Sequence, residues 1–193
     1  KRYTAMLYYE LGKVCFYIDK TAALTYIKKA LTLDNKAAYF HLKGVLLVHS
    51  PKYKAALQAL RRALSLSPGN SLRKDIYLSL GQVMTLAGYY ERGYWFYMRY
   101  LSEVSPDDSF YLPVYLYIAD NRYHSGFMNV GDTYIEHYVR AIPNSSLLSF
   151  MERLVNDSPD IVPFGKKSTI LEKLKQAQCH DEKRENWLMA VSR

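Results

Sequence analysis

Cysteine is almost missing from this chain, with only Cys15 and Cys179 in 193 residues. That excludes a disulfide scaffold, and two thiols do not make up a zinc set by themselves. Nine glycines and seven prolines are too few for a collagen-like or low-complexity chain. No apolar run is long enough to cross a bilayer. The longest strongly apolar stretch without charge, 109–119, has 11 residues, and a spanning helix needs roughly 20. A starting methionine and a signal-like apolar segment are lacking too, so the opening Lys1-Arg2-Tyr3 reads as an excised or processed piece. Compartment stays open, with cytoplasm slightly ahead of periplasm.

Motifs for chemistry are lacking as well. The five histidines form neither His-x3-His nor His-Glu-x2-His, so a metalloprotease helix is absent. Cys179, His180 and Asp181 stand in a row, but neighbours on a helix point about 100° apart and close poorly on one metal. No glycine-rich phosphate loop and no Gly-x-Ser-x-Gly occurs. Carboxylates at 152, 157 and 160 and at 181, 182 and 185 fall in expected loops or on a polar helix face, where solvated charge is the default. We therefore expect no enzyme, no metal and no cofactor.

Hydrophobic residues make up 49% and charged residues 23%, values of an ordinary folded domain and not of a disordered chain. Acidic residues are scarce in the first third. Residues 1–68 carry 12 Lys+Arg against three Asp+Glu, a balance of +9, whereas 69–193 stand at −1. The whole excess of the +8 net charge therefore sits at one end.

Self-similarity organises the rest. Residues 22–33 (AALTYIKKALTL) and 55–66 (AALQALRRALSL) match in register at a separation of 33. A glycine precedes each at nearly equal distance, Gly12 before Ala23 and Gly44 before Ala56. A weaker third copy has Gly81, then Gly93 where the alanine was, then Tyr97 and Tyr100. Small residues at fixed places let two antiparallel helices approach along a contact ridge. Larger partners such as Tyr8, Leu11, Leu24, Ile27 and Leu31 recur at 3- and 4-residue spacing and fill the remainder. Such a hairpin cannot cover its own apolar face, so copies must stack. Pro68 and Pro106 end helices, lacking the N–H that continuation needs.

These residues resemble the tetratricopeptide repeat (TPR), whose pattern is Trp-x2-Leu-Gly-x2-Tyr, then Ala-x3-Phe, then Ala and a closing Pro. The first copy reads Tyr8, Leu11, Gly12, Cys15, then Ala23, Ile27, Ala30, Asn35. The second reads Phe40, Lys43, Gly44, Leu47, then Ala56, Leu60, Ala63, Pro68. The third reads Tyr77, Leu80, Gly81, Met84, then Gly93, Tyr97, Tyr100, with Pro106 one place late. Cys15, on a large aromatic place, is expected to act as a small buried hydrophobe.

The resemblance implies an all-α, right-handed solenoid of antiparallel helix hairpins. Repeats are expected over about 3–36, 37–70, 71–108 and a degenerate 109–144, so that 1–144 form the repeat domain. In the fourth, residues 112–123 and 132–142 are expected as helices around a loop at 121–131, with Tyr134, Tyr138 and Ala141 on the Ala-x3-Phe-x2-Ala places. Residues 145–193 are expected as a C-terminal helical cap. Thr169 and Glu172 have capping-box spacing, and Ile170, Leu171, Leu174 and Trp187 are expected to form its buried face.

Function follows the same resemblance. Members of the family are scaffolds and adaptors, which implies a peptide or protein ligand in the concave groove. Residues at −3, +1 and +4 from each first-helix glycine line that groove in the family. Here they are Tyr9, Lys13 and Phe16, then His41, Val45 and Val48, then Leu78, Gln82 and Thr85. The Lys and Asn with which some members clamp a chaperone's C-terminal carboxylate are missing, since Tyr9 and Lys13, and later Leu78 and Gln82, stand there. The mixed groove favours an amphipathic helix or an extended segment with apolar anchors.

Two further surfaces remain. Lys28, Lys29, Arg61 and Arg62 occupy equivalent places in consecutive second helices and form a basic stripe. Its default reading is a solvated outer face, and its sharper reading is contact with an acidic protein, an anionic membrane or nucleic acid. Nucleic acid is disfavoured, since no aromatics interleave with these charges. Between Tyr89 and Tyr123, 12 of 35 residues are aromatic. Helical spacing puts Tyr97 and Tyr100 inward, while four consecutive aromatics at 94–97 cannot all point inward. Trp95 and one neighbour are expected to be half exposed or covered by the next repeat. The alternative to a protein ligand is polysaccharide binding on this block, as repeat domains of export systems do by resemblance. Homo-oligomerisation stays open.

Overall fold

The computed structural model describes residues 1–108, 110–141 and 168–176, and among these it is helical with no strand. The helices are α1 (Arg2–Ile18), α2 (Lys20–Leu33), α3 (Ala37–Val48), α4 (Tyr53–Ser65), α5 (Asn70–Leu86), α6 (Tyr90–Glu103), α7 (Tyr111–His124) and α8 (Met128–Arg140). A further helical segment covers 168–176. Each odd-numbered helix packs on the even-numbered one that follows it, giving the expected hairpins. By its contacts the chain divides into two units, Lys1–Val104 and Ser105–Arg193.

In the first unit two of the turns are fixed by local hydrogen bonds at the helix ends. Asp19 ends α1 and caps α2, its carboxylate accepting hydrogen bonds from the N–H groups of Thr21 at 2.8 Å and Ala22 at 3.1 Å. Between α5 and α6 the chain reverses at Gly88 (φ +83°), where the Gly88 N–H donates to the Thr85 carbonyl and the Tyr89 N–H to Met84. This glycine C-cap satisfies carbonyls that the helix end would leave bare.

Close approach within each hairpin depends on one missing methyl group. A Cβ built on Gly12 would lie 2.6 Å from Cδ1 of Ile27, one on Gly44 2.6 Å from Cγ of Leu60, and one on Gly81 2.5 Å from the Tyr97 ring. The three large residues hold the same place, four after Ala23, Ala56 and Gly93 in the second helix. All three are buried, together with Ala30, Ala63 and Tyr100. A bigger side chain at that place is tolerated because the glycine opposite offers bare backbone to pack on.

Hairpins then stack. α2 packs on α3 and α4 on α5, so Ile27 shares a cluster with Leu46 and Ala30 shares one with Tyr39. Cys15 is half-buried against the first of these clusters, which matches its expected role as a small hydrophobe. In the run at 94–97, Tyr97 is buried, Tyr94 and Phe96 are half-buried, and Trp95 is 50% exposed.

The second unit departs from expectation in two ways. The anticipated loop at 121–131 does not exist: α7 runs to His124 and α8 starts at Met128. The reversal needs a single positive φ, at Gly126 (+84°), with the Gly126 N–H donating to Tyr123 and the Phe127 N–H to Arg122. It repeats the turn at Gly88, and the nearby Asn121 and Asn129 are helical residues, Asn121 being wholly buried, while Ser125 caps α7. The second-helix register also moves. Gly131, Ile135, Tyr138 and Val139 are the buried set, whereas Tyr134 is half-buried and Ala141 exposed.

In this hairpin the small and large partners change helices. A Cβ on Gly131 of α8 would lie 2.4 Å from the ring of Tyr123 on α7, and the Tyr123 hydroxyl donates to Asp132 at 2.8 Å. Lys173 of the 168–176 segment bridges the other Asp132 oxygen at 3.1 Å. Ile170 and Leu174 are buried and Leu171 is half-buried. Ser168 is already helical, so Thr169 lies inside that helix and not at its cap. Trp187, the 179–181 cluster and the carboxylates at 152, 157, 160, 181, 182 and 185 lie outside the described residues.

Gly81→Ala should lower stability by about 1–3 kcal/mol, because the Tyr97 ring cannot yield without disturbing its own packing, and this exceeds the roughly 1 kcal/mol gained in helix propensity. In a urea-denaturation double-mutant cycle with Tyr97→Leu, the two losses should be less than additive by about 0.5 kcal/mol or more. Strict additivity would mean that the two residues do not share the contact.

Candidate protein-binding groove

First helices touch one another along the stack, α1 on α3 and α3 on α5. The Tyr9 and Tyr39 rings lie 4.9 Å apart, Phe16 meets His49 edge-on at 5.6 Å, and His41 Nε2 is 2.9 Å from the Ser79 hydroxyl. Places that line the groove thus also build the seam between repeats.

That double duty sorts the nine expected groove residues. Phe16, Val48, Leu78, Gln82 and Thr85 are buried. Phe16 joins the core cluster of α2 and α3, and the Thr85 hydroxyl turns back to donate to the Gly81 carbonyl at 2.9 Å. Lys13 is exposed, while Tyr9, His41 and Val45 are half-buried. On α1 the accessible line is Met6, Tyr9, Lys13 and Tyr17, spaced 3, 4 and 4 residues so that they share a face. Met6 and Tyr17, at 48% and 60% exposure, were not among the expected residues. Their signal is the same spacing carried one turn further each way.

Lys13 Nζ stands 5.4 Å from the Tyr9 ring centroid and 2.9 Å from a Glu10 carboxylate oxygen. The Glu10 hydrogen bond and charge raise the Lys13 pKa. Burial, the largest influence, raises that of the Tyr9 hydroxyl, against the Lys13 charge. The face therefore offers an aromatic wall with a fixed cation beside it. Among the described residues no cluster of His, Cys, Asp or Glu could hold a metal ion.

The basic stripe lies elsewhere. Lys28, Lys29, Arg61 and Arg62 are all exposed on α2 and α4. Lys29 sits over the stacked rings of Tyr8 (5.6 Å) and Tyr26 (5.8 Å). The place six residues after the second-helix small residue holds Lys29, then Arg62, then Arg99, whose guanidinium lies 5.0 Å from Trp95. Arg99 extends the series, and its offset from Gly93 was the signal for it. These cations are partly held by aromatic faces.

Neither a family model nor a curated protein matches this chain. A crystal structure of MamA protein matches 80% of the chain and 77% of its own length, with a TM-score of 0.59 at 20% identity. A second MamA crystal structure matches 70% of the chain and 77% of itself, with a TM-score of 0.58 at 22% identity. The fold is a TPR-like helical solenoid. At these identities the likeness concerns architecture. Among the described residues no helix is long and apolar enough to cross a membrane.

Two imidazoles in the seam give it a pH response. Burial pushes His41 down to about 4, against a hydrogen bond with the Asp75 backbone. Burial and the neighbouring Lys20 charge push His49 down to about 4 as well. Both are neutral when folded, whereas in the unfolded chain they protonate near the ordinary value of about 6.5. The unfolded state binds more protons between these values, so stability should be full above about pH 6.5 and fall as pH drops toward 4. His41, deeply buried, can contribute up to about 3 kcal/mol of that loss, and the more exposed His49 contributes less because solvent screens it. His41→Gln should flatten the profile of urea midpoint against pH in this window. An unchanged profile in both His41→Gln and His49→Gln would show that neither imidazole is kept neutral by folding.

Proposed function

We propose that this chain is a non-enzymatic protein-interaction scaffold, and that the first-helix face of Lys1–Val104 binds a protein or peptide segment. The observation that carries this reading is the accessible line Met6, Tyr9, Lys13 and Tyr17 beside His41 and Val45. It joins apolar anchors to one oriented cation and a partly buried imidazole, on helices whose backs are locked by stacking. An extended or helical segment with spaced apolar side chains fits such a surface, and a carboxylate or backbone carbonyl on it fits Lys13.

The basic series on α2 and α4 acts differently in this reading. Its cations are exposed and lie on second helices, away from the Tyr9 face. They raise encounter rate with an acidic partner and add salt sensitivity, without deciding which segment is held.

Capture of partners on the immobilised chain supplies the ligand, and two variants then locate its site. Tyr9→Ala with Val45→Ala should weaken binding about 30-fold at any salt, since anchors at an interface centre contribute roughly 2 kcal/mol on truncation. Circular dichroism should show the helices intact. Reversing Lys28, Lys29, Arg61 and Arg62 to Glu should slow association and leave high-salt affinity nearly unchanged. Normal binding by the groove variant, with loss by the charge-reversed one at high salt, would move the site to the second helices.

A further inference from the structure

The outer face of α2 and α4 carries charge of one sign. Neither helix contains a carboxylate, and Lys28, Lys29, Arg61 and Arg62 stand on them in solvent. At other places in the same unit cations have partners: Lys13 meets Glu10, Lys36 meets Asp34 and Arg73 meets Glu103. None of the four, nor Arg99 of α6, makes an ion pair among the described residues. A face that serves solubility alone intersperses both signs. Uncompensated cations at repeated places instead suit an anion from outside the chain.

The repeat extends this face onto α6 and changes its chemistry there. The places two, five and six residues after the small residue hold Thr25, Lys28 and Lys29 on α2, and Gln58, Arg61 and Arg62 on α4. On α6 they hold Trp95, Met98 and Arg99. All three are exposed, Trp95 at 50% and Met98 at 41%. The cation six residues on is kept, while an indole and a thioether replace the polar residue and the other cation. Charge on two helices and an apolar pair on the third thus occupy equivalent places in the stack.

We propose that this face seats the chain on an anionic lipid bilayer, with the cations of α2 and α4 among headgroup phosphates and Trp95 and Met98 at the boundary with the acyl chains. Each basic residue near such a surface strengthens binding about fivefold, and an indole ring favours that boundary. The spread of the cations favours mobile lipids over a fixed acidic partner. Among the described residues α2 and α4 do not pack on each other, each packing instead on α3, so their cation pairs are held at separate points. Headgroups can diffuse to such points, whereas a rigid partner has to match them. Nucleic acid is less suited, because the Trp95 ring is already engaged. The Arg99 guanidinium lies 5.0 Å from it and Phe96 meets it edge-on at 4.9 Å, which leaves a poor platform for bases. The inference goes beyond the groove reading, in which these cations only steer an acidic partner, and Tyr9 and Lys13 of α1 take no part in it.

Vesicle co-sedimentation of the 193-residue chain tests this, using phosphatidylcholine alone and a mixture with about one third phosphatidylserine. At about 0.1 M salt the chain should pellet with the anionic vesicles and stay in solution with the neutral ones. Lys28→Glu, Lys29→Glu, Arg61→Glu and Arg62→Glu together should lower the partition coefficient about a hundredfold or more. The helical circular dichroism should not change, because all four side chains are exposed. Tyr9→Ala with Val45→Ala should bind vesicles like the parent chain, which keeps failure of the groove reading separate from failure of this one. In a Trp187→Phe background, lipids brominated near the top of the acyl chain should quench Trp95 emission. No binding to anionic vesicles, equal binding to neutral ones, or binding that survives the four reversals would each overturn the proposal. Unquenched Trp95 on bound chains would overturn the part given to α6. Binding to polyglutamate or to a single-stranded oligonucleotide at a lower charge concentration than to phosphatidylserine would assign the face to a protein or to nucleic acid instead.

Discussion

Contact between glycine backbone and a large side chain on the facing helix is the constraint on which this structure rests. Ile27 against Gly12, Leu60 against Gly44 and Tyr97 against Gly81 each occupy the volume that a methyl group would take. Side-chain size can grow from Ile to Tyr at that place because what it meets is bare backbone and not another side chain. Protein interiors are packed too densely to absorb such changes otherwise. The second unit obeys the same rule with the partners exchanged between helices, Tyr123 against Gly131. What persists is a small residue opposite a large one, whichever helix supplies each.

Close hairpins have a consequence for the surface. With the two helices of a repeat so near, first helices of successive repeats also come into contact, and their facing side chains fill the seam. Tyr9 on Tyr39, Phe16 on His49 and His41 on Ser79 are all contacts of this kind. A position on this face therefore divides its surface between solvent and stacking. Phe16 and Val48 have gone to stacking, Lys13 remains in solvent, and Tyr9 and Val45 divide their surface between the two. The neutral histidines in the seam carry the cost of placing polar rings where a charge cannot be hydrated.

A fold held by a pattern of sizes places few demands on residue identity. Likeness to MamA at 20–22% identity, with TM-scores near 0.6, is the kind of relation such a pattern permits. What such a fold offers to partners is the faces left over. On α1 this is the line from Met6 to Tyr17 with its cation. On the second helices it is the series Lys29, Arg62 and Arg99, two of whose members are steadied on aromatic rings.

Sequence alone determined the hairpins, their register over the first three repeats, and the burial of Ala30, Ala63, Tyr97 and Tyr100. All of these follow from local periodicity and from where small residues recur, which a one-dimensional pattern contains. That Trp95 leaves the core followed from the same geometry, since four successive side chains cannot point one way, and the structure decided that it is half exposed and not covered. The turn at Gly126 was misjudged because Asn, Gly and Ser mark loops by composition, whereas three residues, 125–127, make the reversal, one of them with a left-handed backbone, and the rest stay in α7 and α8. The shift to Gly131, Ile135 and Tyr138 followed from that same misplacement of the helix start. Which groove positions keep their surface was settled by tertiary structure alone. It depends on how near the next first helix lies, a distance set by side chains thirty or more residues away. The exposure of Leu7, Leu11 and Val14 on α1 also belongs to that level, because an apolar residue at a helical spacing reads the same in sequence whether it is buried or exposed.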